Sequence, residues 1–348
     1  MKKALALLLC LTMVLALVGC GNSAPAQNPD PTEAPASAPA EEPNTTEPAE
    51  PAAEAADTYT VGICQLAPHV ALDAANQGFQ DALNEAMGEG VVTFKNQNAG
   101  GEDANCATIV DGFVAENVDL ILTIATSPLQ AAAAATSTIP VLGTAVTDYA
   151  TALGIADWTG TVGNNISGTS DLAPLDQQAA VLQEMFPDAE NVGLLYCSGE
   201  PNSVYQITVV RGYLEDMGYT CTPYPFTDVN DLPAVTQKAC DEVDVLYIPT
   251  DNTAANNTEA VANVVIPAGV PVVAGEEGIC AGCGVVTLSI SYYDLGYITG
   301  QMAAQVLKGE ADISEMPVQF APQVTKKYNA ANCDALGITV PEDYVVIE

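Results

Sequence analysis

The sequence predicts an α/β protein made of two Rossmann-like lobes with a ligand cleft between them. Two observations support this fold class. From Tyr59 onward, short apolar segments alternate with segments of helical period, and the alternation pauses over residues 164–174 before it restarts. About 290 residues follow Thr58, which is more than one hydrophobic core usually supports, so two lobes of similar size are expected.

The first half of this region predicts a parallel sheet covered by helices on both faces. Its apolar segments are almost uninterrupted, as is typical of strands that are buried on two sides. The predicted strands span residues 59–66, 91–96, 118–125 and 141–146. The predicted helices between them span residues 72–87, 106–116 and 127–136.

The second half repeats the pattern. Its predicted strands span residues 192–197, 220–226, 243–249, 270–274 and 285–290. Its predicted helices span residues 175–186, 204–217, 232–239, 253–265 and 293–307. We therefore expect lobe 1 over residues 58–170 and lobe 2 over residues 171–285, with shorter strands and turns over residues 316–348.

Residues 1–19 predict a lipoprotein signal peptide. A positive start of two lysines precedes an apolar stretch over residues 4–18, and small residues precede the expected cleavage point. The sequence Leu-Val-Gly-Cys20 resembles the bacterial lipobox, in which the cysteine is lipidated and becomes the mature N-terminus. The alternative is an ordinary signal peptide in which Cys20 is incidental. An apolar run of about 15 residues is shorter than a membrane-spanning helix requires.

Residues 20–57 predict a lipidated, disordered tether. The segment is rich in proline, alanine and glutamate, and it contains no aromatic residue, lysine or arginine. Such a composition cannot bury enough apolar surface to offset the entropy of ordering, and it favours an extended chain. No later segment has 18 consecutive apolar residues. We therefore expect the protein on the extracytoplasmic face of the cell membrane, held there by a lipid anchor.

The charge and the residue types exclude several classes of function. The chain has 44 acidic and 8 basic residues, a net charge of −36, which disfavours nucleic acid as a partner. It has one histidine and no HExxH, GxSxG, Walker or Rossmann glycine motif, so we expect no enzyme, cofactor or metal site. Because Arg211 is the single arginine, the expected ligand is neutral or zwitterionic, or its anionic group is held by helix ends.

Eight cysteines follow Cys20, and the sequence leaves their oxidation state open. Cys64 and Cys197 lie in predicted strands, where cysteine behaves as a small buried apolar residue. The close pair in Cys280-Ala-Gly-Cys283 is interpreted either as a small loop disulfide or as two free thiols.

Polar residues cluster where the predicted strands end, and ligands of open α/β sheets bind at the carboxyl ends of the strands. The candidate ligand-binding residues are Gln65, Thr126, Ser127, Thr147, Asp148, Asp171, Asn202, Ser203, Asp251, Asn252, Glu276 and Tyr292. The single histidine, His69, also follows a strand, where contact with a ligand and a place on a surface loop are equally compatible with the sequence.

The strand ends, read in order, resemble one family. They include Gln65-Leu-Ala-Pro-His, Ala125-Thr-Ser-Pro, Pro249-Thr-Asp-Asn-Thr and Gly275-Glu-Glu-Gly. Together they resemble the substrate-binding lipoproteins of ABC importers, a group that includes binders of tryptophan and other aromatic amino acids. The resemblance covers nearly all of the chain after residue 57.

This resemblance implies a type I periplasmic-binding fold that closes on its ligand like a clamp. It implies that the chain returns to lobe 1 near residues 286–315 and that residues 316–348 belong to lobe 2. It also implies an aromatic amino acid such as tryptophan as ligand, and a permease and an ATPase as partners. The alternatives are a surface sensor or adhesin that binds without transport, and a binder of a sugar or a small peptide.

The candidate residues suggest how a zwitterion is held. Thr126 and Ser127 precede a proline and an alanine-rich helix, and Asn202 and Ser203 open another, so free N–H groups at two helix starts are expected to bind a carboxylate. Asp251 ends an apolar strand and is the favoured partner of the ammonium group.

Other residues compete for these roles. The rival acids are Asp148, Asp171, Glu276 and Glu277. The aromatic residues proposed to cover the ligand side chain are Tyr292, Tyr293, Tyr196 and Trp158.

Overall fold

The structure is a computed structural model that describes residues 58–347. The predicted signal peptide, the lipidation site Cys20 and the predicted tether lie outside these residues. Within residues 58–347, no helix combines the length and the apolar character that crossing a membrane requires.

The described chain alternates strands and helices from end to end. The strands are β1 (Tyr59–Gln65), β2 (Val92–Asn98), β3 (Leu120–Ile124), β4 (Val141–Val146), β5 (Ile166–Ser170), β6 (Asn191–Cys197), β7 (Thr220–Phe226), β8 (Val245–Ile248), β9 (Val272–Ala274), β10 (Val286–Ser289), β11 (Gln319–Phe320), β12 (Thr325–Tyr328) and β13 (Val345–Val346). The helices are α1 (Val70–Met87), α2 (Asp103–Ala115), α3 (Thr126–Ala135), α4 (Tyr149–Leu153), α5 (Leu175–Met185), α6 (Pro201–Asp216), α7 (Leu232–Cys240), α8 (Asn252–Ala255), α9 (Thr258–Ala268), α10 (Glu277–Gly282), α11 (Tyr292–Leu307) and α12 (Ala330–Leu336). A 3-10 helix spans Ile313–Glu315.

Two sheets form the centres of two lobes, as the α/β pattern predicted. The first sheet has six parallel strands in the order β11-β5-β4-β3-β1-β2. The second has seven strands in the order β13-β12-β10-β9-β8-β6-β7, and only the β10–β12 pair is antiparallel. Parallel strands need a crossover between them, so each helix packs on a sheet face and the carboxyl ends of the strands stay open.

Both faces of the sheets are buried, which explains the uninterrupted apolar strands. On β8, Leu246 belongs to the apolar cluster on one face and Tyr247 to the cluster on the other. In the first lobe, Phe79, Leu122 and Leu295 are fully buried in one continuous core. Each lobe is therefore a rigid support for the loops that follow its strands.

The chain crosses between the lobes three times, and one crossing differs from the expectation. The crossings are residues 171–174, 290–291 and 321–324. The return segment was expected to span residues 286–315, which would put β10 in lobe 1. This expectation is wrong for β10, because β10 hydrogen-bonds to β9 and β12 in the second sheet. The chain returns to lobe 1 only after Ile290. Residues 316–348 were likewise assigned wholly to lobe 2, but β11 pairs with β5 in the first sheet.

Close helix packing holds the returning segment on lobe 1. Helix α11 lies against α1, and a Cβ atom at Gly296 would clash with the carbonyl oxygen of Ala75. The backbones of the two helices therefore approach as closely as glycine permits. This contact places Tyr292, at the start of α11, beside the first crossing.

Candidate functional site

The carboxyl ends of the two sheets face each other across a cleft. His69, just beyond β1, and Asn252, just beyond β8, meet across it with 3.2 Å between Nε2 and Oδ1. A cavity of about 460 Å³ opens beside this contact and is lined by residues of both lobes, among them Leu66, Ser127 and Glu200. The cleft therefore lies at the carboxyl ends of the strands, where ligands of open α/β sheets bind.

The start of α3 presents free N–H groups to this cleft. Ala125, just before the helix, has φ 95° and ψ 172°, a backbone conformation that costs a residue with a side chain about 1–3 kcal/mol. No side chain caps the helix, and the N–H groups of Thr126 and Ser127 have no acceptor within residues 58–347. Unpaired donors at a helix start favour an anionic group.

The start of α6 lies opposite, in the second lobe. Pro201 opens the helix, and the N–H groups of Asn202 and Ser203 likewise have no acceptor in the described part of the chain. Thr126 and Asn202 line the same narrow gap between the lobes. Two helix starts therefore converge on one region of the cleft, and together they supply the positive end of a dipole where arginine is absent.

Two of the candidate acids have structural partners. Asp148 caps α4 by accepting a hydrogen bond from the N–H of Thr151 at 2.7 Å. Asp251, the favoured ammonium partner, caps α8 through the N–H of Ala254 at 2.8 Å and also accepts from the N–H of Cys197 at 2.6 Å. Both oxygens of Asp251 thus accept backbone hydrogen bonds, and its role as the ammonium partner stays a prediction.

The acidic pair after β9 is also satisfied by the protein. Glu276 caps α10 by accepting from the N–H groups of Gly278, at 2.6 Å, and Ile279. Glu277 pairs with Lys327 at 2.5 Å. Neither carboxylate is available as the main partner of an ammonium group.

Asp171 differs from the other acids. It follows β5 at the first crossing, is 4% exposed, and accepts one hydrogen bond, from the Tyr292 hydroxyl to Oδ2 at 2.9 Å. Its Oδ1 is buried and has no partner within residues 58–347. Burial raises the pKa of Asp171 above its ordinary value, although the nearby hydroxyls of Thr147 and Tyr292 offset part of the rise.

No basic side chain in the described chain compensates this buried acid. Each one contacts an acidic side chain, a carbonyl oxygen or an aromatic ring elsewhere. The pairs are Lys95 with Glu116, Arg211 with Glu215, Lys238 with the Tyr224 ring, Lys308 with the carbonyl of Ala86, Lys326 with Glu184, and Lys327 with Glu277. A buried carboxylate without a positive partner is costly, and Asp171 has no such partner within residues 58–347.

Three other predicted positions are used elsewhere or are exposed. The amide of Gln65 is used within lobe 1, where it donates to Asp73 at 2.7 Å and accepts from Asn76 at 3.0 Å. Among the aromatic candidates, Trp158 is 36% exposed and Tyr293 is 40% exposed on the outer surface. Tyr292 alone of these three belongs to the cleft.

Glu200 is the main feature that the sequence analysis missed. It is 8% exposed and accepts hydrogen bonds from the side chains of Asn202, Asn252 and Thr253 and from the N–H groups of the last two. The only sequence signal was its position directly before Pro201 at a predicted helix start. Glu200 therefore fixes the orientation of the polar side chains on the lobe 2 side of the cleft.

All eight cysteines of the described chain are free thiols, and seven of them are buried. Of the two interpretations left open for Cys280 and Cys283, the structure has the free thiols, which lie in and just after α10. Burial raises the pKa of both, as expected for apolar packing rather than reactivity.

Comparison with known proteins now assigns the family. The family model described as "ABC transporter substrate binding protein" matches residues 60–347. The chain belongs to this family. A curated relative, the tyrosine-binding protein of Clostridioides difficile, is 32% identical over 262 residues, which cover 74% of this chain and 75% of the relative.

Solved structures of similar proteins have the same fold as this substrate-binding protein. The ABC domain from Streptococcus pneumonia, solved in complex with L-Trp, is 30% identical to this chain. The superposition covers 84% of this chain and 100% of that domain, with a TM-score of 0.79. A conserved domain protein from Vibrio cholerae superposes with a TM-score of 0.80, and its identity and the coverage of both chains are the same. The fold is that of the type I periplasmic binding proteins, as the resemblance implied.

A further solved structure has a similar level of identity. It is the ligand-free, open structure of a substrate-binding protein with adhesive properties from Clostridium difficile, which is 32% identical, with 84% of this chain and 99% of that chain covered and a TM-score of 0.65.

Replacing Asp251 by alanine should lower the stability of the protein. The change removes the cap of α8 and leaves the buried N–H of Cys197 without an acceptor, which together should cost about 1–3 kcal/mol of unfolding free energy. Urea denaturation would measure the loss, with Asp148→Ala at the more exposed cap of α4 as a control that should cost less. An unchanged unfolding free energy would restore Asp251 as a candidate for the ligand.

The protein without ligand should be more stable at pH 5 than at pH 8. Burial raises the pKa of Asp171 and Asp251, the latter also through the charge of Glu200, and raises that of Glu276 to about 7. Between the unfolded pKa near 4 and these folded values, the folded state binds more protons, so its stability falls as pH rises.

Thermal denaturation at the two pH values measures this effect, and we expect a decrease of several degrees on going to pH 8. Glu276→Gln removes one of the titrating groups and should make the decrease smaller. A melting temperature that rises from pH 5 to pH 8 would contradict the assignment of these acids as buried and uncompensated.

Proposed function

We propose that this protein captures a free α-amino acid with an aromatic side chain and delivers it to the permease of an ABC importer. The observation that carries the proposal is the unpartnered Oδ1 of Asp171, buried at the first crossing. An α-ammonium group brings three donors and a positive charge, which is what this carboxylate lacks.

The carboxylate of the same ligand would bind at the helix starts. Thr126 at the start of α3 and Asn202 at the start of α6 line the same gap between the lobes, and their N–H groups are free. In the first sheet β5 and β3 flank β4, so Asp171 and the start of α3 are separated by two strand spacings, roughly 10 Å. An α-amino group and its carboxylate, each with a hydrogen bond of about 2.9 Å, fit this separation.

The relatives support an aromatic side chain. One is named as a tyrosine-binding protein, and another was solved with L-Trp, each at about one-third identity or slightly less over most of this chain. The cavity of about 460 Å³ adjoins Ser127, where the side chain of a ligand held at the start of α3 would extend. A pocket of this size is in the range of small-molecule sites.

Membership of the family supports delivery to a permease, and the predicted lipobox supports anchoring to the membrane. Substrate-binding proteins of ABC importers work at the outer face of the membrane, and lipidation of Cys20 would keep this protein beside its permease and ATPase. The acidic tether over residues 20–57 would hold the lobes away from the bilayer. Stable attachment requires more than one acyl chain, which lipoprotein processing would supply.

Replacing Asp171 by asparagine should weaken binding of aromatic amino acids about 10- to 100-fold, because the ammonium loses a charge-assisted hydrogen bond. Isothermal titration calorimetry against the twenty amino acids measures the effect. Asp176→Asn, an exposed acid five residues away in the first turn of α5, is the matched control and should bind like the wild type.

Indole-3-propionate, which lacks the amino group of tryptophan, tests the role of Asp171 directly. The wild type should prefer tryptophan strongly, and Asp171→Asn should lose most of that preference. If the variant binds tryptophan as tightly as the wild type does, Asp171 is not the ammonium site. If no amino acid binds the wild type, the ligand belongs to another class.

Replacing Cys20 by alanine should move the protein from the membrane fraction to the soluble fraction, because the acyl chains have no other attachment point. Fractionation of expressing cells, followed by immunoblotting, measures the distribution. Cys10→Ala, inside the predicted signal peptide, is the control and should leave the protein membrane-bound. Retention of the Cys20→Ala protein on the membrane would argue against the lipobox.

A further inference from the structure

His69 occupies a place in the cleft that the proposed function does not yet use. It lies at the start of α1, just beyond β1, and its Nε2 is 3.2 Å from the side-chain oxygen of Asn252 in the other lobe. Its second ring nitrogen, Nδ1, is buried and has no hydrogen-bond partner within residues 58–347. Asp171 Oδ1 and His69 Nδ1 are thus two unpartnered buried polar atoms on the lobe 1 side of the cleft.

The network around Glu200 determines which way Asn252 faces. An ionised carboxylate only accepts hydrogen bonds, and Glu200 receives one from Asn252 Nδ2 at 2.8 Å and one from the Asn252 N–H at 3.0 Å. Further donors to Glu200 come from Asn202 and Thr253. The amide nitrogen of Asn252 therefore points to Glu200 and its oxygen points to His69.

The orientation of Asn252 in turn determines the tautomer of His69. Because the oxygen of Asn252 can only accept, the proton of the neutral imidazole lies on Nε2, and Nδ1 carries a lone pair. Burial lowers the pKa of His69 and favours the neutral ring, although the hydrogen bond to Asn252 and the charges of Glu200 and Asp73 oppose the shift. His69 Nδ1 is therefore a buried acceptor that requires a donor.

We propose that His69 Nδ1 accepts a hydrogen bond from the side chain of the bound amino acid, so that the protein selects aromatic rings carrying an N–H or O–H donor. The inference rests on the proposed function, in which Asp171 holds the ammonium group. It names indole and phenol side chains as the substrate class and disfavours an unsubstituted phenyl ring.

The spacing of the strands agrees with this assignment. In the first sheet the order β5-β4-β3-β1 places the ends of β5 and β1 about three strand spacings apart, roughly 14 Å. Asp171 directly follows β5, and His69 lies four residues after β1. An extended tyrosine or tryptophan, with hydrogen bonds of about 2.8 Å at its ammonium and at its ring, covers a comparable distance. The ligand would then lie across the strand ends, from the first crossing to the start of α1.

A ligand without the ring donor would leave Nδ1 buried and unpaired. Sites that hydrogen-bond a substrate group discriminate strongly against an analogue that lacks it, because the protein atom loses its partner as well. We expect the wild type to prefer the donor-bearing ligand about 10- to 100-fold, the range that one such hydrogen bond supplies.

Two ligand pairs isolate the donor. L-tyrosine and L-phenylalanine differ by one hydroxyl, and L-tryptophan and 3-benzothienyl-L-alanine differ by replacement of the indole N–H with sulfur. Isothermal titration calorimetry on the full chain gives the affinity ratio within each pair. The ratio is the measured quantity, so a uniform loss of affinity in a variant does not affect it.

Two substitutions separate the two ring nitrogens. His69→Asn places an amide oxygen near the position of Nδ1 and should keep the preference for the donor. His69→Gln places its amide near Nε2, where it can still reach Asn252, and should reduce the preference to within about 3-fold because no acceptor remains at Nδ1. Melting temperatures within a few degrees of the wild type establish that both variants are folded.

The outcomes distinguish the inference from the function on which it rests. A lower preference in His69→Gln than in His69→Asn supports the role of Nδ1. Equal affinity of the wild type for both members of each pair, or full preference in His69→Gln, overturns the inference while amino acid binding stands. Failure of the wild type to bind any aromatic amino acid removes the proposed function itself.

Discussion

The carboxyl group of Asp171 is buried where the chain first crosses between the lobes, and no basic residue of the described chain balances it. Burying a charge in this way costs free energy unless a partner is supplied. The Tyr292 hydroxyl, at the start of α11, donates to this carboxyl and holds it in place. A cationic ligand group would relieve the cost of burial.

The excess of acidic residues explains how the rest of the cleft is built. With few bases available, Asp148, Asp251 and Glu276 are stabilised by the N–H groups of the short helices that follow them. These caps position the loops after three strands without adding a positive side chain to the cleft. The starts of α3 and α6 have no side-chain cap, so the anionic part of the proposed zwitterionic ligand would bind there.

The two sides of the cleft contribute differently to recognition. Lobe 1 presents strained or unpaired backbone, seen in the positive φ of Ala125, together with the unpartnered atoms of Asp171 and His69. Lobe 2 presents a network organised by Glu200, which holds Asn252 in one orientation. The contact between His69 and Asn252 joins the two sides of the cleft.

The sequence alone was sufficient for the fold class, because strands buried on both faces and helices of regular period are local patterns. The order of the strand-end segments was sufficient for the family. Sequence could not show that β10 stays in the second sheet, since its partners β9 and β12 are brought together only by folding.

The same limit applies to the site. Asp251 ends a predicted apolar strand, whereas Asp171 lies in the segment 164–174 where the alternation pauses, and Asp251 was preferred. The tertiary structure distinguishes the two acids, because the N–H of Cys197, 54 positions away, and the start of α8 donate to Asp251, while Asp171 Oδ1 receives no donor. Position at a strand end is a local property, but whether a buried carboxylate is satisfied depends on donors from distant parts of the chain.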